Sequence, residues 1–198
     1  MRKRDSIALS HSFKKDSIFT RGFNKSVSLC FDGCADHDSS RTYGAADWPN
    51  IKGKTALKVN GSRVAIYGLA VEHYQQTQTI WNGEGGQVYF FQSEIPYDVP
   101  NMATWNSDGQ HPNGWPSYKV NATTHTARGL GVYCFFSTNP ACYLESAIEV
   151  PAGYDNGQMF HNMVTVGLGS GNVGQINHVI NQRGTAASSV NTSCYLGQ

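Results

Sequence analysis

The sequence predicts an all-β solenoid of the β-helix type, and three observations point there. Short runs of β-branched and aromatic residues recur through the body of the chain, punctuated by Gly, Asn, Asp and Pro. No segment of that body keeps apolar residues at helical spacing for the roughly ten residues a helix needs. The runs are often separated by long irregular loops, such as Pro96 to Ser117, rather than by the tight turns of a hairpin sandwich. Short strands with long one-sided insertions suit stacked coils, in which inward side chains form apolar ladders.

Taken in order, the strand-like runs are Val64-Ala65-Ile66-Tyr67, Leu69-Ala70-Val71, Gln87 to Phe91, Tyr118-Lys119-Val120, Gly131 to Phe136, Ala147 to Val150, Met163 to Val166 and Gln175 to Ile180. Asn60 and the pair Asn82-Gly83 stand where corners are expected, because Asn and Gly accept positive φ. Residues 1–50 keep no such period and are rich in Ser, Asp, Lys and Arg. They read as a basic, poorly ordered N-terminal segment before a single β domain over 51–198.

A net charge of +1 over 198 residues supplies no field to gather nucleic acid or an anionic membrane. No run of about 18 apolar residues is present to cross a bilayer. Neither partner is expected, and the chain reads as a monomer or as part of a longer chain. Its N-terminus lacks the apolar stretch of a signal peptide, whereas four Asn-X-Ser/Thr triplets, at Asn24, Asn60, Asn121 and Asn191, point outward. The five cysteines, Cys30, Cys34, Cys134, Cys142 and Cys194, lack metal-site spacing. Bridges Cys30–Cys34 and Cys134–Cys142 and free buried thiols stand as equal alternatives, and neither a metal nor a cofactor is expected.

The stretch from Val59 to His73, with Trp81 to Glu94, Pro96-Tyr97-Asp98, His125, Gly129 to Tyr133 and His178 to Asn181, resembles a family of large secreted microbial and fungal β-helix proteins. These are described as pectate-lyase-like, often with discoidin (coagulation factor 5/8) modules, and some carry an adenylyl cyclase label. The resemblance covers roughly residues 55–185. It implies a right-handed parallel β-helix, here its C-terminal coils, secretion, and a polysaccharide partner. Cyclase chemistry finds no phosphate-cradling Gly-Lys loop in this sequence.

Polysaccharide cleavage by hydrolysis uses two carboxyl groups, about 5–5.5 Å apart for retention and about 6.5–9.5 Å for inversion. Glu94 is expected as the acid, with Glu72 or Asp98 as its partner. Glu72 and Glu94 lie 22 residues apart, about one coil, so stacking in register brings them together. Pro96 turns the chain so that Asp98 can fold back toward them. His73 is placed to share a proton with a neighbouring carboxylate. Trp81, Tyr97, Trp105, Trp115, His73 and Gln92 are candidates for sugar contact, with packing as the alternative use of the aromatic rings. Glu84 reads as a solvated corner acid.

The expected function is therefore a carbohydrate-active enzyme, a glycoside hydrolase or lyase acting on an extracellular polysaccharide. The alternative is a noncatalytic glycan-binding or structural module of a larger secreted protein.

Overall fold

The computed structural model describes residues 7–9, 29–32, 48, 53–106, 109, 111–154, 157–191 and 193–196. Strands follow in the order β1 (Ile7–Leu9), β2 (Leu29–Asp32), β3 (Leu57–Val59), β4 (Ala65–Glu72), β5 (Thr79–Trp81) and β6 (Gly86–Glu94). A one-turn helix α1 (Met102–Trp105) precedes β7 (Tyr118–Val120), β8 (His125–Cys134), β9 (Tyr143–Glu149), β10 (Phe160–Gly167), β11 (Gln175–Ile180) and β12 (Ser193–Leu196). The chain alternates between two six-stranded sheets, ordered β1-β3-β5-β7-β9-β11 and β12-β10-β8-β6-β4-β2. Between these strands the pairing is parallel, except where β1 meets β3 and β12 meets β10.

This corrects the expected right-handed parallel β-helix. The molecule presents two mostly parallel sheets with antiparallel strands at an edge of each, and no closed coil is shown among the described residues. Turn residues and strand spacing favour parallel stacking, but closure depends on the path of irregular connections, which carry no period. Of the segment 1–50, the pieces 7–9 and 29–32 supply edge strands; its expected lack of order otherwise concerns residues outside those described. So does the possible Cys30–Cys34 bridge.

The core lies between the sheets and is built from in-register ladders. Ile66, Val88, Ala127 and Phe160 form one, and Leu69, Phe91, Leu130 and Met163 another. All eight are buried, as expected when parallel strands bury an inner face of alternate residues. Between these ladders each strand passes through a residue skipped by the pairing: Gly68, Phe90, Gly129 and Asn162, all at positive φ. Gly68 therefore does not separate two strands, as its sequence suggests. It is a left-handed link inside β4, matched at the same level in β6, β8 and β10.

The corner at Asn60 and Asn82 forms where expected but for a different reason, since neither has positive φ. Instead Asn82 Nδ2 donates to Asn60 Oδ1 at 2.7 Å and Asn121 Nδ2 donates to Asn82 Oδ1 at 2.8 Å, an amide ladder across three turns. Gly83 is needed for closeness: a Cβ there would come 1.8 Å from the Gly61 carbonyl oxygen. In the loop from Pro96 to Ser117, Asn101 accepts the Thr104 N–H and caps α1. Four residues are too few to leave a helical period. Cys134 and Cys142 are buried free thiols, and burial pushes Cys134 up to about 12.

Candidate active site

Glu72 ends β4, Glu94 ends β6, and the two are Cα partners in the parallel ladder. Register thus sets them about 4.8 Å apart along the stack on the outer side of the sheet, their neighbours Val71 and Ser93 being buried. Directly after β4, His73 takes a left-handed conformation, φ 59°, and is 1% exposed. Its backbone N–H donates to the Glu94 carbonyl at 2.9 Å, and its Nε2 lies 3.6 Å from Glu94 Oε2. One donor atom from each of Glu72, His73 and Glu94 lies within 4.8 Å of the others. These three are the described residues whose spacing could hold a cation.

Glu94 is held from several directions. Tyr97 Oη donates to Glu94 Oε2 at 2.5 Å, Gln92 Nε2 approaches Oε1 at 3.4 Å, and Gln78 Nε2 donates to the Glu94 carbonyl at 2.7 Å. Burial, then the hydrogen bond to Glu94 and the charges of Glu94 and Glu72, push the Tyr97 phenol well above its usual range. It stays a hydrogen-bond donor at any working pH. Chemically, this is a carboxyl pair at a strand end, with one member fixed in orientation, beside an imidazole that can hold or pass a proton.

Asp98 takes another place. Its carboxylate accepts the backbone N–H of Trp48, and it is absent from the Glu72–His73–Glu94 cluster. The tryptophans expected to meet sugar are core residues: Trp81, Trp105 and Trp115 are 0%, 3% and 8% exposed. Their indole N–H groups donate to the carbonyls of Gly83, Gln75 and Trp105. Their rings take the packing alternative: burying them pins the long loop to the body. Tyr97 and Gln92 do remain at the carboxyl pair. A cavity of about 300 Å³ lies elsewhere, at the starts of β6 and β8, between Gln87, Thr124, His125, Thr126 and Tyr154.

Register adds two positions that sequence reasoning misses. Tyr133 is the partner of Glu94 on β8, and Asp32 the backbone partner of Glu72 on β2, so the row runs Asp32, Glu72, Glu94, Tyr133. The long insertion between β6 and β7 hides the relation of Tyr133 to Glu94, whereas the unbroken 22-residue step from Glu72 to Glu94 is visible in the sequence.

Residues 31–94 match the family model for the LAM55 pectate lyase-like domain. The matched stretch runs from β2 to the final residue of β6, and so contains Glu72 and Glu94. An exo-β-1,3-glucanase of Streptomyces sp. (strain SirexAA-E / ActE) is 35% identical over 144 residues, 71% of this chain and 23% of that protein. Two solved structures of sacteLam55A from Streptomyces sp. SirexAA-E, one a variant in complex with glucose, are 30% identical, with TM-scores of 0.69 and 0.65. They align over 79% and 76% of this chain and 28% and 27% of theirs. The chain therefore spans about a quarter of the length of these relatives. The match carries the pectate-lyase-like part of the expected resemblance; it carries neither discoidin modules nor a cyclase.

Proposed function

We propose that the chain is the carboxyl-bearing part of a glycoside hydrolase acting on β-1,3-glucan, with Glu94 as the acid that protonates the leaving oxygen and Glu72 as its carboxyl partner. The observation that carries this reading is the in-register pairing of Glu72 and Glu94 within 4.8 Å, with Glu94 oriented by Tyr97. The substrate class rests on the likeness to the Streptomyces exo-β-1,3-glucanase, which favours hydrolysis over the elimination of a lyase. The limit of 4.8 Å between one oxygen of each carboxyl lies near the retaining value of about 5–5.5 Å. The anomer released first tells whether Glu72 attacks the sugar or only faces the acid. A polymer substrate that cannot enter cells makes an extracellular working place part of the proposal.

The test is to incubate the purified chain with β-1,3-glucan, β-1,4-glucan and pectin, following new reducing ends and retention on insoluble polymer. New ends from β-1,3-glucan alone are expected, and Glu94→Gln should lower the rate about 10²- to 10⁴-fold at an unchanged melting temperature. Retention without new ends would replace the enzyme by a glycan-binding module.

A further inference from the structure

The Tyr97 hydroxyl donates to the Glu94 carboxyl at 2.5 Å, and the ring that carries it is itself clamped. His73 packs against it edge-on with centroids 4.8 Å apart, and Phe135 packs edge-on at 5.4 Å. The Tyr97 backbone is fixed as well: its carbonyl accepts the Ser137 N–H at 2.8 Å and the Ser137 hydroxyl at 3.2 Å. Pro96 restricts the chain between the acid and the tyrosine. A side chain held at ring, backbone and hydroxyl has almost no rotational freedom left, so whatever it touches inherits that fixity.

We propose that Tyr97 is a positioning residue for Glu94: its hydroxyl holds Oε2 and thereby sets the direction in which the Glu94 proton is delivered. This rests on the reading of Glu94 as the acid and deepens it. In the step concerned, the bond between the sugar's anomeric carbon and the leaving oxygen breaks as that carbon gains a bond to a nucleophile, the Glu72 carboxylate or water; the electron pair stays with the leaving oxygen, and the Glu94 proton moves onto it. Delivery of this proton matters when the leaving group is a sugar alkoxide, a poor leaving group. It matters little for a nitrophenolate, which departs unprotonated.

The experiment compares the full chain and Tyr97→Phe on a β-1,3-linked glucan oligosaccharide and on 2,4-dinitrophenyl β-glucoside, with a circular-dichroism melt to verify folding. A reduction of kcat on the oligosaccharide on the order of 10²-fold, with KM unchanged and the activated glucoside cleaved at nearly the parent rate, is the expected result. Equal losses on both substrates would make Tyr97 merely structural and overturn the inference while leaving the hydrolase reading intact. A parent chain that cleaves neither substrate would overturn the hydrolase reading and the inference with it. Should Tyr97→Phe melt early, Phe135→Leu, which loosens the ring clamp but keeps the hydroxyl, is expected to show the same substrate split in weaker form; its absence there would count against the inference.

Discussion

The Glu84 carboxylate holds Thr124 twice, accepting its backbone N–H at 2.7 Å and its hydroxyl, across forty residues of sequence. It also accepts the N–H and hydroxyl of Thr123. These bonds, the Thr124 hydroxyl first, hold Glu84 down to about 2 from 4.5, although it is fully exposed. A folded-state value below the unfolded one means that the unfolded chain binds more protons between the two. Stability from this corner is thus fully present above about pH 4.5 and lost as pH falls toward 2. Urea midpoints measured between about pH 5 and pH 2 should decline less steeply in Glu84→Gln than in the parent; parallel curves would remove Glu84 from acid sensitivity.

His125 acts in a higher window. Packed against Trp81, Tyr118 and Phe160, with Tyr118 Oη 3.0 Å from Nε2, it is held by burial down to about 4 from 6.5. The unfolded chain takes up its proton first, so stability falls as pH drops from 6.5 to about 4 and levels off below that. At about 1.4 kcal/mol per pH unit the whole window is worth up to about 3 kcal/mol. Replacing His125 by Gln should flatten the slope of unfolding free energy in that range, and an unchanged slope would assign it to other groups.

Phe90 occupies a left-handed position, φ 66°, that Gly68, Gly129 and Asn162 fill in the neighbouring strands, and it is 65% exposed. A bulky side chain there costs about 1–2 kcal/mol in backbone conformation, with little burial to offset it. Phe90→Gly should therefore raise stability by about 1 kcal/mol, net of the freedom glycine gains when unfolded. A loss in denaturant unfolding would mean that the ring packs more than its exposure indicates.

At the Asn82-Gly83 corner the constraint is space. Gly83→Ala forces a methyl group onto the Gly61 carbonyl, and the backbone shift should cost about 1–3 kcal/mol. A neutral effect in thermal melts would show that the corner yields.

The parts of the fold that are legible in the sequence are those with a local period. Alternation marks inward and outward residues in Leu69 to Val71 and Phe91 to Ser93 and breaks at Gly68 and Phe90, and the 22-residue step from Glu72 to Glu94 is itself the register of β4 on β6. The link at Gly68 reads as a boundary because a glycine inside a strand and one between strands look alike; Phe90 at the same level carries no turn signal at all. Burial of Trp81, Trp105 and Trp115 is equally hidden, since a ring beside an irregular loop gives no hint of which way it points. The clamp of Glu94 by Tyr97 is visible only as closeness in sequence, its direction being set by contacts with Phe135 and Ser137 some forty residues away.

The amide ladder of Asn60, Asn82 and Asn121 ties the molecule to chemical time. Asn60 and Asn82 each precede a glycine, the arrangement in which a backbone nitrogen most readily attacks a side-chain amide and expels ammonia. Were Asn82 to become aspartate, it would still accept from Asn121 but could no longer donate to Asn60. The rungs themselves restrain the side chains that such an attack must swing, so the corner ages slowly while it is intact and faster once the first rung is lost.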